Sequence, residues 1–191
     1  HLRGDAGLRC RRWWCRRRRI SPIVDNLRHD NLYYLKNTGL YSFADILINN
    51  MSVFTDHTEF VMMKDVSKKI KMSFDTKIAL FHGGVFDAKT DIGYTVTNKR
   101  ITNEMFDGHD MALLGDIHMI QNLQAYDEQS EKPIIRYAGS LIQQNHGEAL
   151  LGHGFSLWNI KQRTYTHVEI PNDYGYFTIG KAIRKLQRKD S

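Results

Sequence analysis

Cysteine is confined to Cys10 and Cys15, and residues 20–191 contain none. That stretch therefore has no disulfide framework and no thiolate zinc site, and it fits a reducing compartment. No apolar run approaches the roughly 20 residues that a membrane helix needs. No apolar segment follows the N-terminal charges, so no secretory signal is visible. The body shows no internal repeat and no low-complexity stretch. Arginine is also scarce there, with six in residues 20–191.

The arginines are instead concentrated at the start. Residues 1–19 carry eight Arg, no Lys and one acid, a net charge of +7, together with Trp13, Trp14 and both cysteines. The whole chain is +6, so residues 20–191 come to −1. Interleaved Arg and Trp suit a nucleic-acid arm. The abrupt change of composition at Ile20 favours a head foreign to the fold. The expected organisation is a head at 1–19, one partial domain at 20–180 and a basic tail at 181–191. A length of 191 residues with 41% hydrophobic content suits one sizeable domain.

Ser21-Pro22 has the form of a helix start, with Ser as N-cap and Pro at the first helical position. Leu32–Leu35 and Leu40–Phe43 read as strands around the Asn37-Thr38-Gly39 turn, and Ile46–Ile48 and Met51–Phe54 continue that pattern. Glu59–Val66 suits strand or helix. Lys77–Phe81, Met111–Leu114 and Pro133–Tyr137 predict buried strands. Residues 83–100 form a long polar loop, and such loops beside a ligand are often functional. Ile101–Phe106 predicts a short helix. Residues 154–160 and 165–170 predict a closing antiparallel pair, and Ile179–Arg188 a basic amphipathic helix.

Two of the buried strands end in a glycine beside a possible metal ligand. The first is Lys77-Ile78-Ala79-Leu80-Phe81-His82-Gly83-Gly84, and the second is Met111-Ala112-Leu113-Leu114-Gly115-Asp116-Ile117-His118. Residues i and i+2 of a strand share a side. Asp116 and His118 would then face one place, with His82 arriving from a neighbouring strand. Mixed oxygen and nitrogen donors suit Mn²⁺, Fe²⁺ or Zn²⁺.

Each element alone is common; their order is not. The body, over about residues 20–180, resembles the C-terminal half of the calcineurin-like metallophosphoesterase superfamily. It is most similar to the DNA double-strand-break repair exonuclease branch (bacterial SbcD-type and its viral relatives). The family's single metal-binding His is matched by His82. Its Gly-His-x-His motif is matched by Gly115-Asp116-Ile117-His118, and its Gly-Ser segment by Tyr137-Ala138-Gly139-Ser140. Asn145-His146-Gly147-Glu148 and Gly154–Trp158 resemble the closing strands of that branch.

The resemblance implies an α/β fold, a β-sandwich flanked by helices, here without its N-terminal βαβ units. It implies His82, Asp116 and His118 as metal ligands, and Gly139, Ser140 and Asn145 as substrate contacts. Two divalent cations are expected, Mn²⁺ first, with Fe²⁺ or Zn²⁺ as alternatives. The implied activity is phosphoester hydrolysis, as a DNA exo- or endonuclease. DNA, an SbcC-type ATPase and a second copy of the chain are the implied partners, with no membrane. The expected location is the cytoplasm, or more broadly the interior of a cell, including a virus-infected host.

This chain departs from the family at two points. Asp116 stands where most members have His, and carboxylate ligation favours harder ions. The family's N-terminal motifs, including the one carrying the catalytic His, are absent, so no catalytic residue is assigned. The expectation is therefore an incomplete and inactive copy of an enzyme. The alternatives are a phosphatase of small phosphoesters or nucleotides, and a non-catalytic nucleic-acid-binding fragment. The remaining histidines carry blander expectations. His109 reads as structural, His29, His57, His146 and His153 as loop residues, and His167 as solvent-facing. Gln143 and Gln144 read as polar loop residues, and Asp91–Tyr94 as either a turn or a cover for the rim.

Overall fold

The apolar runs become parallel strands. In the computed structural model, residues 9–10, 29, 32–66, 73–125, 129 and 132–177 are described. The strands are β1 (Arg9–Cys10), β2 (Gly39–Phe43), β3 (Ile46–Met51), β4 (Thr76–His82), β5 (Met111–Gly115), β6 (Gln121–Gln124), β7 (Ile134–Tyr137), β8 (Gly154–Asn159) and β9 (Thr164–Glu169). Seven of them form one sheet in the order β1-β2-β3-β4-β5-β7-β6, and β8 and β9 form a separate antiparallel pair. Strands β3, β4, β5 and β7 are mutually parallel, while β2 and β6 are antiparallel additions.

A parallel sheet is normally covered on both faces, and its strands are accordingly apolar on both. Ala79, Phe81, Ala112, Leu114, Ile135 and Tyr137 join one core cluster with Val85, Ala88, Ile101 and Phe106 from the 83–110 segment. Ile78, Met111 and Ile134 make the opposite cluster, against Trp158, Ile160 and Tyr165 of the β8–β9 hairpin. Arg136 is buried on that second face. Its Nε donates to Ser156 Oγ at 3.0 Å, Nη1 donates to Asn122 Oδ1 at 2.8 Å, and its guanidinium lies 4.2 Å from the Tyr165 ring centroid. Those contacts let a charged side chain share an apolar layer.

The connection from β4 to β5 is mostly irregular where a helix is the usual crossover. Its sequence lacks a helical apolar period. Backbone bonds such as Phe86 N to Ile101 O (2.8 Å) and Val96 N to Ala88 O (2.8 Å) hold it instead. The architecture is thus mixed α/β with a sheet core and few helices. Among the described residues the helical elements are α1 (Met63–Val66) and short 3-10 turns. The expected helical flanks are not among them.

The expected strands at 77–81, 111–114, 133–137, 154–160 and 165–170 are present within a residue or so. Three expectations change. Leu32–Leu35 is not a strand: Leu32, Tyr33 and Tyr34 are exposed, and no strand among the described residues pairs with them. Asn50 Nδ2 instead binds the carbonyls of Leu35 and Asn37, and Ser52 Oγ binds that of Lys36. The Met51–Phe54 strand stops at Met51, because the Thr55 amide turns back to Ser52 O. The helix at 101–106 is a 3-10 turn over Asn103–Phe106. Strand β6 has no period-2 pattern and was not expected.

The Ser21-Pro22 helix start, the 179–188 helix, the 181–191 tail and most of the 1–19 head lie outside the described residues. Within the head, Arg9–Cys10 pairs antiparallel with Tyr41 and Ser42 of β2. Among the described residues no helix is long and apolar enough to cross a membrane.

Candidate functional site

Open parallel sheets bind ligands at the carboxyl ends of their strands. Here those ends carry His82, Gly115, Asp116 and the Ala138-Gly139-Ser140 segment. His82 is the last residue of β4 and pairs in register with Gly115 of β5. Its ring lies over that glycine: a Cβ at position 115 would stand 3.0 Å from His82 Cδ2. The glycine therefore leaves room for the exposed imidazole. Beyond it, Asp116 adopts φ +87°, a left-handed conformation that ends the strand. Ile117 drops into the core, while Asp116 and His118 on either side of it are both exposed.

Gly139 holds the His118 backbone in place. It has φ +80°, and a Cβ there would come to 2.8 Å from His118 O and 2.5 Å from Ile120 Cγ1. The next residue, Ser140, donates its amide to the same His118 carbonyl at 3.2 Å. Tyr137 braces the loop after His82 from below. Its hydroxyl donates to Gly83 O at 2.6 Å and accepts from Val85 N at 2.9 Å. Burial, the larger cause, and the nearby Asp116 charge push the Tyr137 pKa up to about 12.

Glu148 is the centre of the polar contacts. Its side chain is 2% exposed, against 42% for His118. His118 Nδ1 lies 2.8 Å from Glu148 Oε1, and Asn145 Nδ2 donates to the same oxygen at 2.6 Å. Ser140 Oγ (3.2 Å) and the Gln144 amide (2.8 Å) donate to Oε2. Burial acts to raise the Glu148 pKa, but hydrogen bonds from His118, the Gln144 amide and Ser140 outweigh it and hold the value below normal. Beneath this, His153 Nδ1 lies 2.9 Å from Ser140 Oγ, and its Nε2 donates to Ala149 O at 2.6 Å.

Several expectations change at this level. Ser140 is buried, and both its hydroxyl and the Asn145 amide are engaged with Glu148. A direct substrate contact by the Ser140 hydroxyl would first have to break its bond, whereas the exposed Asn145 amide donates one of its two hydrogens to Glu148, and Gly139 contributes backbone shape. Gln143 is buried rather than solvated, bonded to the carbonyls of Glu148 and Tyr176 and to the Tyr176 amide. His153 is half-buried with both nitrogens engaged. His167 is half-buried as well, with Nε2 3.0 Å from Gly152 O. The 91–94 turn reaches the rim: a Cβ on Gly147 would lie 2.6 Å from Ile92 Cγ2.

His109 is structural, as expected. It is 3% exposed, with Nδ1 2.8 Å from Phe106 O and Nε2 3.2 Å from Asn49 Nδ2. Desolvation lowers its pKa.

The part played by Glu148 was not read from the sequence, although a signal exists. It is the only charged residue between Arg136 and Lys161. A lone carboxylate in so long an uncharged stretch marks either an exposed loop or a deliberately paired buried charge.

His82, Asp116 and His118 thus come to one edge of the sheet. Among the described residues, however, no three His, Cys, Asp or Glu side chains group closely enough to hold a metal ion. The donor chemistry suits a divalent cation, but the described residues do not complete a site for one.

The chain is 42% identical over 163 residues to an uncharacterized protein of Acanthamoeba polyphaga mimivirus. The match covers 84% of this chain and 12% of that protein, so the chain spans about an eighth of its relative's length. No protein-family model matches the chain, and no solved structure does.

Proposed function

We propose that this chain carries part of a metal-dependent phosphoester hydrolase, a DNA exo- or endonuclease of the double-strand-break repair type. One observation carries the reading. His118 stands at the carboxyl edge of a parallel sheet with Nδ1 on a buried carboxylate, the usual arrangement behind a metal-binding imidazole. The family resemblance supplies the reaction class.

In this reading His82, Asp116 and His118, which do not group into a site by themselves, would hold a cation such as Mn²⁺ only together with further donors. Such a cation neutralises phosphate charge and activates water. The chain's own contribution is positional. Gly115 leaves space for His82, Gly139 and Ser140 hold His118, and Tyr137 supports the loop after His82.

The test is a Mn²⁺ titration followed by electron paramagnetic resonance, on the wild type and on His82→Ala, Asp116→Ala and His118→Ala. Each substitution is expected to weaken binding. Four indistinguishable titrations would remove the metal reading. Hydrolysis of linear duplex DNA rather than p-nitrophenyl esters, by a protein supplying the remaining donors, would separate nuclease from small-ester phosphatase.

A further inference from the structure

We propose that Glu148 is a positioning residue that fixes His118 in its Nδ1–H form and leaves Nε2 as the free donor atom at the sheet edge. The proposal deepens the reading in which His118 binds a cation, and rests on it only for the metal arm of the test below.

The geometry supports this in two ways. An ionised carboxylate is an acceptor only, so the 2.8 Å contact places the proton on His118 Nδ1. In the neutral ring Nε2 then keeps its lone pair, and no hydrogen bond to it is formed among the described residues. Neutral imidazole by itself favours the other tautomer, so the carboxylate is working against an intrinsic preference.

The burial pattern points the same way. Taking a carboxylate out of water is costly unless its oxygens are satisfied. Here the Glu148 side chain is 2% exposed, while the ring it holds is 42% exposed. An imidazole so open to solvent needs no protein partner for stability. Three of the four donors to Glu148, from Ser140, Gln144 and Asn145, belong to its own loop and fix the carboxylate in place. The fourth contact reaches thirty positions back to His118. A loop needing closure alone would be served by the first three.

Nitrogen chemical shifts of the His118 imidazole, measured where the ring is neutral, test the proposal in the intact 191-residue chain without any metal. Wild type is expected to show the Nδ1–H tautomer in excess. Glu148→Ala is expected to shift it toward Nε2–H, with Glu148→Gln, which keeps the volume and one acceptor oxygen, in between. Should the alanine variant fail to fold, the wild-type and glutamine spectra still decide. Gln143→Ala is the structural control, because it loosens the same loop through the Glu148 backbone. It is expected to lower the urea midpoint and leave the tautomer alone.

A wild-type His118 that is mainly Nε2–H would overturn the proposal. So would a tautomer that follows stability in Gln143→Ala as closely as in the Glu148 variants. Loss of an orienting carboxylate is expected to weaken Mn²⁺ binding about 10- to 100-fold. Absence of Mn²⁺ binding to wild type, with the tautomer as expected, would count against the metal reading and still support the positioning role.

Discussion

Replacing Tyr137 by Phe removes one oxygen atom and leaves the ring in the core, so the effect is almost purely one of hydrogen bonding. The hydroxyl serves two backbone groups at once, the Gly83 carbonyl and the Val85 amide. Val85 is fully buried, so no water can replace the lost acceptor, and an orphaned buried donor costs about 1–3 kcal/mol. Gly83 is only half-buried, so its carbonyl can turn to water, and about 0.5–1.5 kcal/mol is the net loss expected there. The sum, about 1.5–4.5 kcal/mol, corresponds to a drop of roughly 3–18 °C in Tm for a domain of this size.

Urea denaturation measures the total, and amide exchange at Val85 reports the local part. The pH dependence adds a third check. The folded pKa of Tyr137 is raised to about 12 from an unfolded value near 10. The unfolded state therefore loses its proton first, so this contribution is complete below pH 10 and disappears as pH rises through the folded value. The gap between wild type and Tyr137→Phe should narrow once pH passes 10. An unchanged urea midpoint with unchanged Val85 exchange would refute the reasoning.

Three further outcomes are expected. Gly139→Ala puts a side chain at φ +80° against Ile120 and His118 O, and should cost about 2–3 kcal/mol in urea melts while moving the His118 resonances. In acid, two windows should separate. His109 is buried neutral with a lowered pKa, so stability falls as pH drops below the unfolded value near 6.5, and His109→Gln removes that slope. Glu148 has a lowered carboxyl pKa, so its contribution is complete above an unfolded value near 4.5 and is lost as pH falls further, a slope that Glu148→Gln removes. Finally, any DNA binding through the eight head arginines should weaken by about 10³-fold or more between roughly 50 and 200 mM salt and vanish on deleting residues 1–19, as titrations at several salt concentrations would reveal.

The central strands were legible in the sequence because burial on both faces writes continuous apolar runs, and 77–81 and 111–114 are such runs. Their glycine endings pointed to the edge where His82, Asp116 and His118 lie. Strand β6 was not legible. Gln121-Asn122-Leu123-Gln124 has no strand pattern, and it becomes a strand because the β7 edge offers it a ladder. The 32–35 segment shows the reverse, with strand-like composition and no strand partner among the described residues.

By itself the sequence determined the central strands β4, β5 and β7, because burial on both faces is written locally as an apolar run. It also placed the glycines, whose backbone freedom depends only on the residue. Only the tertiary structure decided that Ser140, Gln144, Asn145 and His118 converge on Glu148. Hydrogen bonding depends on distance in space, and residues thirty apart in the chain leave no periodicity to mark it.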